Sequence, residues 1–405
     1  MPRSLPPLQT VLTGLVVAIV GFFSSFPIVL QGLNGVGATG AQAASGLMFA
    51  AFAMGVAGIV LSLWYRMPIA VAWSTPGAAV LAVAPAGVYA FPEAVSAFIF
   101  AGFLTVLAGL WKPLGRIVTL IPGPLAQAMV AGILIVLCAE PFRAMAETPW
   151  TAVPIVLAWF IFGRINRLFA APAAVVVAIA VTLIESDFRL DMPDPLISAP
   201  IGLMPEFTQA ALLGLGLPLF IVTMATQNVP GITIVRSFGY APPPGPPLMG
   251  VGVASMASAP FGAPATCLAA ITAAMCANPE SHPDPKLRFW SSVMAGLFYC
   301  LFGLFAGVIA LVAAQTPPMV LETVTGVALL AVFANSTAAA LEDAEYREAS
   351  AVAILTTASG ISVLGMNAAV LGLGLGIIVL TVTRTLSRGT SDDDGGSRNG
   401  GRDKD

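Results

Sequence analysis

The sequence predicts an all-α polytopic membrane protein with about 14 transmembrane segments, arranged as two inverted repeats of about seven. Three observations support this prediction: an apolar composition, a one-sided distribution of positive charges, and short patterns that recur in order. Of the 405 residues, 58% are hydrophobic and only 9% are charged, and the mean hydropathy is +0.92. Because a soluble domain carries roughly 25% charged residues, this composition excludes an ordinary water-facing surface.

Apolar stretches recur along almost the whole chain and are separated by short polar links. Since a helix needs about 20 apolar residues to cross the hydrocarbon core, we expect these stretches to span the bilayer. The predicted segments are 9–33, 41–64, 68–86, 93–111, 118–139, 150–166, 169–185, 208–239, 246–260, 263–276, 289–313, 318–340, 347–363 and 366–385. The first segment follows a single Arg3 and lacks a small-residue cleavage site, which indicates a retained span.

The positive charges fall on alternate links between these segments. With the N-terminus inside, every Lys and Arg except Arg143 and Arg189 lies on the cytoplasmic side, and the acidic link 185–194 lies outside. This asymmetry is typical of the positive-inside rule. We therefore expect a multi-pass protein of the cytoplasmic (inner) membrane, embedded in the lipid bilayer, with both termini cytoplasmic. The polar tail 387–405 is predicted to be disordered.

The residue inventory disfavours several kinds of chemistry. The four cysteines lie in or beside apolar segments without metal-ligand spacing, and His282 is the single histidine. We therefore expect neither a metal nor a cofactor. The sequence has no basic patch with interleaved aromatic residues, so nucleic acid is not expected as a partner. It also has no Ser/His/Asp or Cys/His set and no paired intramembrane carboxylates, which disfavours an enzyme.

Three short patterns recur between the two halves of the chain in the same order. The pairs are 24–28 with 227–231, 74–79 with 265–270, and 123–133 with 317–327. A repeat unit with an odd number of segments must insert its second copy in the opposite orientation. Inverted repeats are typical of transporters, in which a site near the midplane lies at the ends of discontinuous helices.

Two short segments are predicted to be broken within the membrane, each as a short strand followed by a half-helix. In the first, 68–73 has the composition of an extended stretch, and Ser74-Thr75-Pro76 then supplies an N-cap and a proline in the first helical turn. The partner break is predicted at 261–266 and opens a helix that runs through Met275. Extended backbone at this depth requires protein or a cavity to satisfy its hydrogen bonds.

The helix starts at these breaks predict a binding site for an anionic group. Free N–H groups at a helix N-terminus act as roughly half a positive charge, and no Lys or Arg lies deep in any predicted span. The ligand implied is small, carries one carboxylate and is otherwise apolar or aromatic. The candidate substrate-binding residues are Ser24, Ser25, Phe26, Trp73, Ser74, Thr75, Pro76, Gly77, Gln227, Asn228, Ala265, Thr266, Cys267 and Leu268.

A structural role is the alternative for these residues. A Ser or Thr hydroxyl in a membrane helix can bond to a carbonyl of its own helix or hold two helices together. The candidate for proton coupling is Glu322, because an ionisable group inside a span is a functional candidate. Glu140 and Glu93 also lie near predicted outer ends, and all three carboxylates could instead simply reach water.

Several motifs resemble the benzoate/proton symporter family over essentially the whole chain. They are AWSTPGA at 72–78, TQNVPG at 226–231, and LAAITAA at 268–274 followed by PDP at 283–285. That family is related to nucleobase transporters and to sulfate-type anion transporters. The resemblance implies a seven-plus-seven inverted fold, often dimeric. It implies a core domain of 1–113 and 205–314 and a gate domain of 114–190 and 315–386.

The same resemblance implies secondary active, proton-coupled uptake of benzoate or a similar aromatic carboxylate by an elevator-type mechanism. Substrate is then expected between segments 3 and 10 and beside segments 1 and 8. The nucleobase relatives carry acidic residues in segments 8 and 10, where this chain has Gln227, Asn228, Ala269 and Ala270. Proton coupling could therefore involve the substrate itself or Glu322. The alternatives are an anion channel, with the broken helices forming a pore, and a nucleobase-type transporter of the same fold.

Overall fold

A computed structural model describes residues 5–85, 87–111, 121–185, 198–243, 245–361, 363 and 367–396. Apolar helices dominate these residues, and nine helical stretches among them are long and apolar enough to cross a membrane. The protein is therefore a mostly helical, polytopic membrane protein, as the composition predicts. The positive charges expected at Arg3, Lys112, Arg116 and Arg189 lie outside the described residues, as does the segment 397–405.

The first half of the chain contains eight helices and one short strand within its described part. They are α1 Leu8–Phe23, α2 Phe26–Gly35, α3 Gly40–Tyr65, β1 Val71–Trp73, α4 Thr75–Ala82, α5 Phe91–Leu110, α6 Gly123–Glu147, α7 Pro149–Ile165 and α8 Ala170–Glu185.

The second half repeats this order of elements over the residues that are described. They are α9 Gln209–Ser237, α10 Gly245–Ser258, β2 Thr266–Leu268, α11 Ala270–Ala277, α12 Phe289–Leu304, α13 Ala306–Gln315, α14 Pro318–Leu341, α15 Arg347–Ala358 and α16 Ala368–Gly396. Helix α9 contains two π-helical turns, Leu212–Gly216 and Met224–Asn228. Each predicted segment thus contains helical residues within the described part of the chain, while the number of membrane crossings stays a prediction.

The first recurring pattern marks an interruption of a helix in both halves. The α-helix of the first segment stops at Ser24-Ser25 and resumes as α2, with Pro27 in its first turn. In α9 the π turn Met224–Asn228 stands at the equivalent place, immediately before Pro230. Proline removes an i→i−4 hydrogen bond and crowds the preceding turn, so both helices depart from regular α geometry here.

The second recurring pattern was aligned incorrectly from the sequence. The prediction matched Ser74 with Ala265 and began a helix near Thr266, whereas residues 266–268 form strand β2 and α11 begins only at Ala270. The N-cap equivalent to Ser74 is therefore Ala269, with extended φ −109° and ψ 122°. Pairing with β1 decides this register. It keeps residues 266–268 extended, so the helix begins at Ala270 and not near Thr266.

Helix packing follows the repeat as well. Helix α3 packs on α12 while its counterpart α10 packs on α5, and α6 packs on α14. Helices α7 and α8 form a pair, as do α15 and α16. At the first crossing, a Cβ added to Gly55 would lie 2.6 Å from the carbonyl oxygen of Gly296. At the second, a Cβ added to Gly252 would lie 2.8 Å from that of Gly102. Only glycine permits such approach, a packing mode common in membranes.

Helix α16 corrects the predicted C-terminal boundary. A disordered tail was expected from residue 387, but the helix continues to Gly396. Extending an existing helix adds one hydrogen bond for each residue fixed, so a helix already stabilised by packing can continue into a polar sequence.

Candidate functional site

The two strands pair within the packed helices and bring the two half-helix units together. β1 and β2 are antiparallel, with Val71 opposite Leu268 and Trp73 opposite Thr266. The ladder continues at each end, since Ser74 N donates to Ala265 O at 2.9 Å and Ala269 N donates to Ala70 O at 3.1 Å. The backbone N–H and C=O groups of the strands thereby form hydrogen bonds with each other in the absence of water. The paired strands β1 and β2 are called the ribbon below. Helices α4 and α11 start at its opposite ends, and a strand of three residues is about 10 Å long.

The N-terminus of α4 is capped by its own sequence and by a neighbouring helix. Ser74 Oγ accepts a hydrogen bond from Gly77 N at 3.1 Å and another from Thr223 Oγ1 of α9 at 2.8 Å. Ser74 and Thr223 are both buried. Pro76 has no N–H, so Thr75 N is the one first-turn donor that this cap leaves open. The predicted N-cap is confirmed, and it leaves α4 little capacity to bind an anion.

The N-terminus of α11 is different, because alanine occupies its N-cap position. Ala269 has no side chain that can accept from the first helical turn, so the N–H groups of residues 270–272 lack an intrahelical partner. Thr272 lies in that turn, is 5% exposed, and its hydroxyl has no hydrogen-bond partner among the described residues. Of the two half-helices, α11 is the one that presents free donors.

Asn228 positions the α11 unit. Its side chain is fully buried, Oδ1 accepts from Leu268 N at 2.8 Å, and Nδ2 lies 3.3 Å from Met224 Sδ. Ser255 of α10 holds the other end of β2, accepting from Thr266 N at 2.8 Å. The Thr266 hydroxyl itself is buried and has no partner in the described part of the chain. Both strand ends are thus fixed by side chains from the flanking helices.

Trp73 and Ser25 form a buried pair between the first broken helix and the ribbon. Trp73 Nε1 donates to Ser25 Oγ at 2.8 Å, and Ser25 Oγ donates to Gly21 O at 2.9 Å. The Trp73 ring lies 5.1 Å from that of Phe22, and Phe22 also contacts Phe26. Trp73 is only 2% exposed. These contacts indicate that Trp73, Ser25 and Phe26 anchor the break.

Three of the predicted polar residues remain partly exposed. They are Ser24, Thr75 and Gln227, and no side-chain hydrogen bond is recorded for any of them in the described structure. They lie at interruptions that pack together, because α4 contacts both α2 and α9. The remaining predicted residues, Pro76, Gly77, Ala265, Cys267 and Leu268, are buried. The polar candidates thus separate into a buried, hydrogen-bonded set and an accessible set, with the buried but unpartnered hydroxyl of Thr266 in neither.

Sequence reasoning missed Thr223, Ser255 and Thr272. Thr223 lies four residues before Gln227, a spacing that makes the two residues neighbours on the surface of α9. Thr272 is inside the quoted LAAITAA motif but was not singled out, because the register error placed the helix start too early. Ser255 carries no local signal, since its role depends on a strand that follows eleven residues later.

The C-terminus of α11 is capped by a buried cation. Arg288 is 6% exposed and donates to Ala277 O at 2.9 Å, His282 O at 2.7 Å and Pro283 O at 3.3 Å. A cation at this position interacts favourably with the negative end of the helix dipole. Beside it, burial raises the pKa of Tyr240, and the Arg288 guanidinium opposes that rise.

Glu322 does not lie at the ribbon. It lines a separate cavity of about 490 Å³ between α2, α4, α6, α14 and the ends of α15 and α16. Glu140 lines the same cavity and forms a 2.7 Å ion pair with Arg143. The described residues contain no group of His, Cys, Asp or Glu side chains that could hold a metal ion.

Comparison with known proteins places the chain among transporters. The sequence profile of the family described as benzoate membrane transport protein matches residues 5–382. Inner membrane protein YdcO of Escherichia coli (strain K12) is 36% identical over 386 residues, covering 95% of this chain and 98% of that protein. The benzoate membrane transport protein of Acinetobacter baylyi is 29% identical over 328 residues, covering 80% and 82% respectively.

A solved structure shares the fold. The transmembrane domain of a cyanobacterium bicarbonate transporter, BicA, matches with a TM-score of 0.62 at 18% identity, over 91% of this chain and 97% of that chain. Fold and relatives together define a multi-pass membrane transporter, not an enzyme. The chain belongs to the benzoate membrane transport protein family. The family resemblance derived from the motifs is confirmed.

Proposed function

We propose that this protein is a secondary active transporter that takes up benzoate or a similar aromatic carboxylate together with protons. The observation that carries the proposal is the uncapped start of α11, where residues 270–272 offer N–H groups beside the unpartnered hydroxyl of Thr272. A carboxylate accepts hydrogen bonds from such donors and is favoured by the positive end of the helix dipole.

The surroundings of α11 support an anion with an apolar body. Helix α9 packs against α11 and contributes the partly exposed Gln227. Ile271 in the first turn is 66% exposed, so an apolar side chain stands beside the free donors. Both the carboxylate and the ring of an aromatic acid then have complementary groups. The name of a relative from Acinetobacter baylyi, a benzoate membrane transport protein, supports benzoate as the first substrate to test.

The mechanism we propose is an elevator movement of a core, 1–113 and 205–314, against a gate, 114–190 and 315–386. The reciprocal packing of α3 on α12 and α10 on α5 supports a two-fold repeat within the core. The pairing of α6 with α14 supports the same repeat within the gate. In this proposal the chain crosses the membrane about 14 times as inverted repeats, with both termini cytoplasmic. A homodimer is part of the same proposal.

Uptake of labelled benzoate into proteoliposomes with an imposed inward proton gradient tests the function. Accumulation above that in protein-free vesicles, reduced when the gradient is collapsed, is the expected result. No uptake above empty vesicles contradicts the substrate, and uptake indifferent to the gradient contradicts proton coupling. Uracil and bicarbonate in the same assay distinguish a nucleobase-type transporter, and benzoate currents that do not saturate would instead indicate an anion channel.

A further inference from the structure

The cavity that contains Glu322 lies between the two groups of helices proposed to move against each other. Helices α2 and α4 line it from the core side, and α6, α14, α15 and α16 line it from the gate side. Its volume of about 490 Å³ is large enough for several water molecules. The predicted orientation puts this cavity at the outer face of the membrane.

Glu322 has an unusual electrostatic environment within this cavity. Among the described residues, none forms an ion pair or hydrogen bond with its carboxyl, whereas Glu140 is neutralised by Arg143. Glu140 and Glu147 of α6 interact with Glu322 electrostatically, and α2 carries no charge. The charged residues of α7 and α15 lie at the far ends of those helices. On α8 the one carboxylate, Glu185, lies outside the described side chains.

The walls near Glu322 offer hydrogen-bond acceptors that lack donors. Gln31 Oε1 of α2 is buried and has no partner within the described residues. Pro141 lies within α6 and has no N–H, so it cannot donate to the carbonyl of Leu137. That carbonyl packs against Gly326, where an added Cβ would lie 2.6 Å from it. Gly326 lies one helical turn after Glu322 on the same face of α14, so Glu322 and the Leu137 carbonyl share one side of the helix, while Gln31 lines the same cavity as Glu322.

We propose that Glu322 carries the coupled proton, and that its protonated carboxyl donates a hydrogen bond to Gln31 Oε1, tying α14 to α2 and closing the cavity. The contact between α2 and α14 already exists, so this step requires side-chain rather than fold rearrangement. A proton taken from water in the cavity supplies the donor that the buried acceptor lacks, and its release leaves a carboxylate that cannot donate. This inference rests on the proposed proton-coupled function and specifies the group and contact that perform the coupling.

Accessibility of a cysteine in the cavity tests the inference without substrate. In a background without Cys138, Cys267, Cys276 and Cys300, the reporter Val136→Cys on the α6 wall is labelled with a membrane-impermeant maleimide at acidic and alkaline pH. The rate is normalised to Val88→Cys, an exposed reporter outside the cavity lining, because thiol reactivity itself depends on pH. We expect the normalised rate to fall several-fold at acidic pH.

Three variants and one control variant assign the effect. Glu322→Gln retains a donor and should give slow labelling at both pH values, whereas Glu322→Ala should give fast labelling at both. Gln31→Leu should abolish the pH response even though Glu322 is present. Glu206→Gln removes an exposed carboxylate outside the cavity lining and should leave the response unchanged. Thermal unfolding of each purified variant identifies any that fails to fold.

Two results overturn the inference: a wild-type pH response in Glu322→Gln, or one in Gln31→Leu. Either would stand independently of the transport result, because the labelling needs no benzoate. Conversely, absent benzoate uptake in the wild-type protein contradicts the proposed function even where the labelling response follows Glu322.

Discussion

The two strand–helix units of the molecule share a backbone arrangement but are stabilised at opposite ends. Unit one, β1 with α4, is capped at its helix N-terminus by Ser74, and its helix ends at Val83 without a basic side chain. Unit two, β2 with α11, has Ala269 at the N-cap and Arg288 at the helix C-terminus. The unit whose N-terminus is open is thus held from its C-terminus.

This difference separates a structural unit from a candidate binding unit. At α4, Ser74 already accepts from Gly77 N and Pro76 has no N–H, so Thr75 N is the single first-turn donor left and an anion would gain little there. At α11 the donors are free, and the stability lost without a cap is offset by the guanidinium contacts at the other end. The two units therefore share one backbone geometry, and their side chains make the two helix N-termini different.

The largest expected effect on substrate binding is that of a carboxylate placed at the open helix start. Ala269→Asp supplies an N-cap acceptor that competes with a bound anion for the same N–H groups, so we expect benzoate affinity to fall at least roughly tenfold. Isothermal titration of the purified protein measures this. The matched variant Ser74→Asp places the same charge on α4 and should change affinity far less. Equal losses in the two variants would show that the units do not differ in anion binding.

The next effect concerns the cap at the other end of α11. Arg288→Ala removes three hydrogen bonds that the buried guanidinium donates to backbone carbonyls, so we expect a loss of roughly 1.5–3 kcal/mol in the free energy of unfolding. Unfolding of the detergent-solubilised protein measures this loss in the free energy of unfolding. Arg164→Ala, at the C-terminal end of helix α7, removes a cation that is not hydrogen-bonded to α11 and should have little effect. A stable Arg288→Ala protein would contradict the assigned cap.

Asn228→Ala is expected to destabilise the same unit by roughly 1–3 kcal/mol, because it leaves Leu268 N buried without an acceptor. The neighbouring change Gln227→Ala removes an amide with no recorded internal partner and should scarcely alter stability. Parallel thermal-shift curves compare the two. If instead Gln227→Ala is the destabilising change, the division into buried and accessible residues is wrong.

The smallest of these effects is expected for the cap of α4. Ser74→Ala should lower the free energy of unfolding by about 1 kcal/mol, the usual contribution of an N-cap side chain. Benzoate affinity should remain near that of the wild type. Thr223→Val, which removes the hydroxyl that donates to Ser74, should be additive with it only in part, since the two share one contact. A double-mutant cycle measures that coupling.

Much of the candidate site could be located from sequence, but its roles could not be assigned. The chain breaks at Ser24-Ser25 and before Pro230 are visible because proline and paired polar residues interrupt an apolar helix. The roles of Asn228 and Trp73 were hidden, because each depends on a partner far along the chain, Leu268 and Ser25 respectively. Whether a buried polar side chain binds substrate or satisfies backbone is decided by such partners.

The sequence alone determined the class of protein and the positions of most of the apolar helices that the structure describes. Composition and helix-breaking residues can be read locally from the sequence. In a bilayer, backbone hydrogen bonds must be formed within the protein, so an apolar stretch has few possible structures other than a helix. The tertiary structure decided the register of the second unit, because strand pairing across almost two hundred residues moves the helix start from Thr266 to Ala270. It also decided which helix N-terminus lacks a cap and placed Glu322 and Gln31 in the lining of one cavity. These are consequences of long-range packing, which local patterns do not encode.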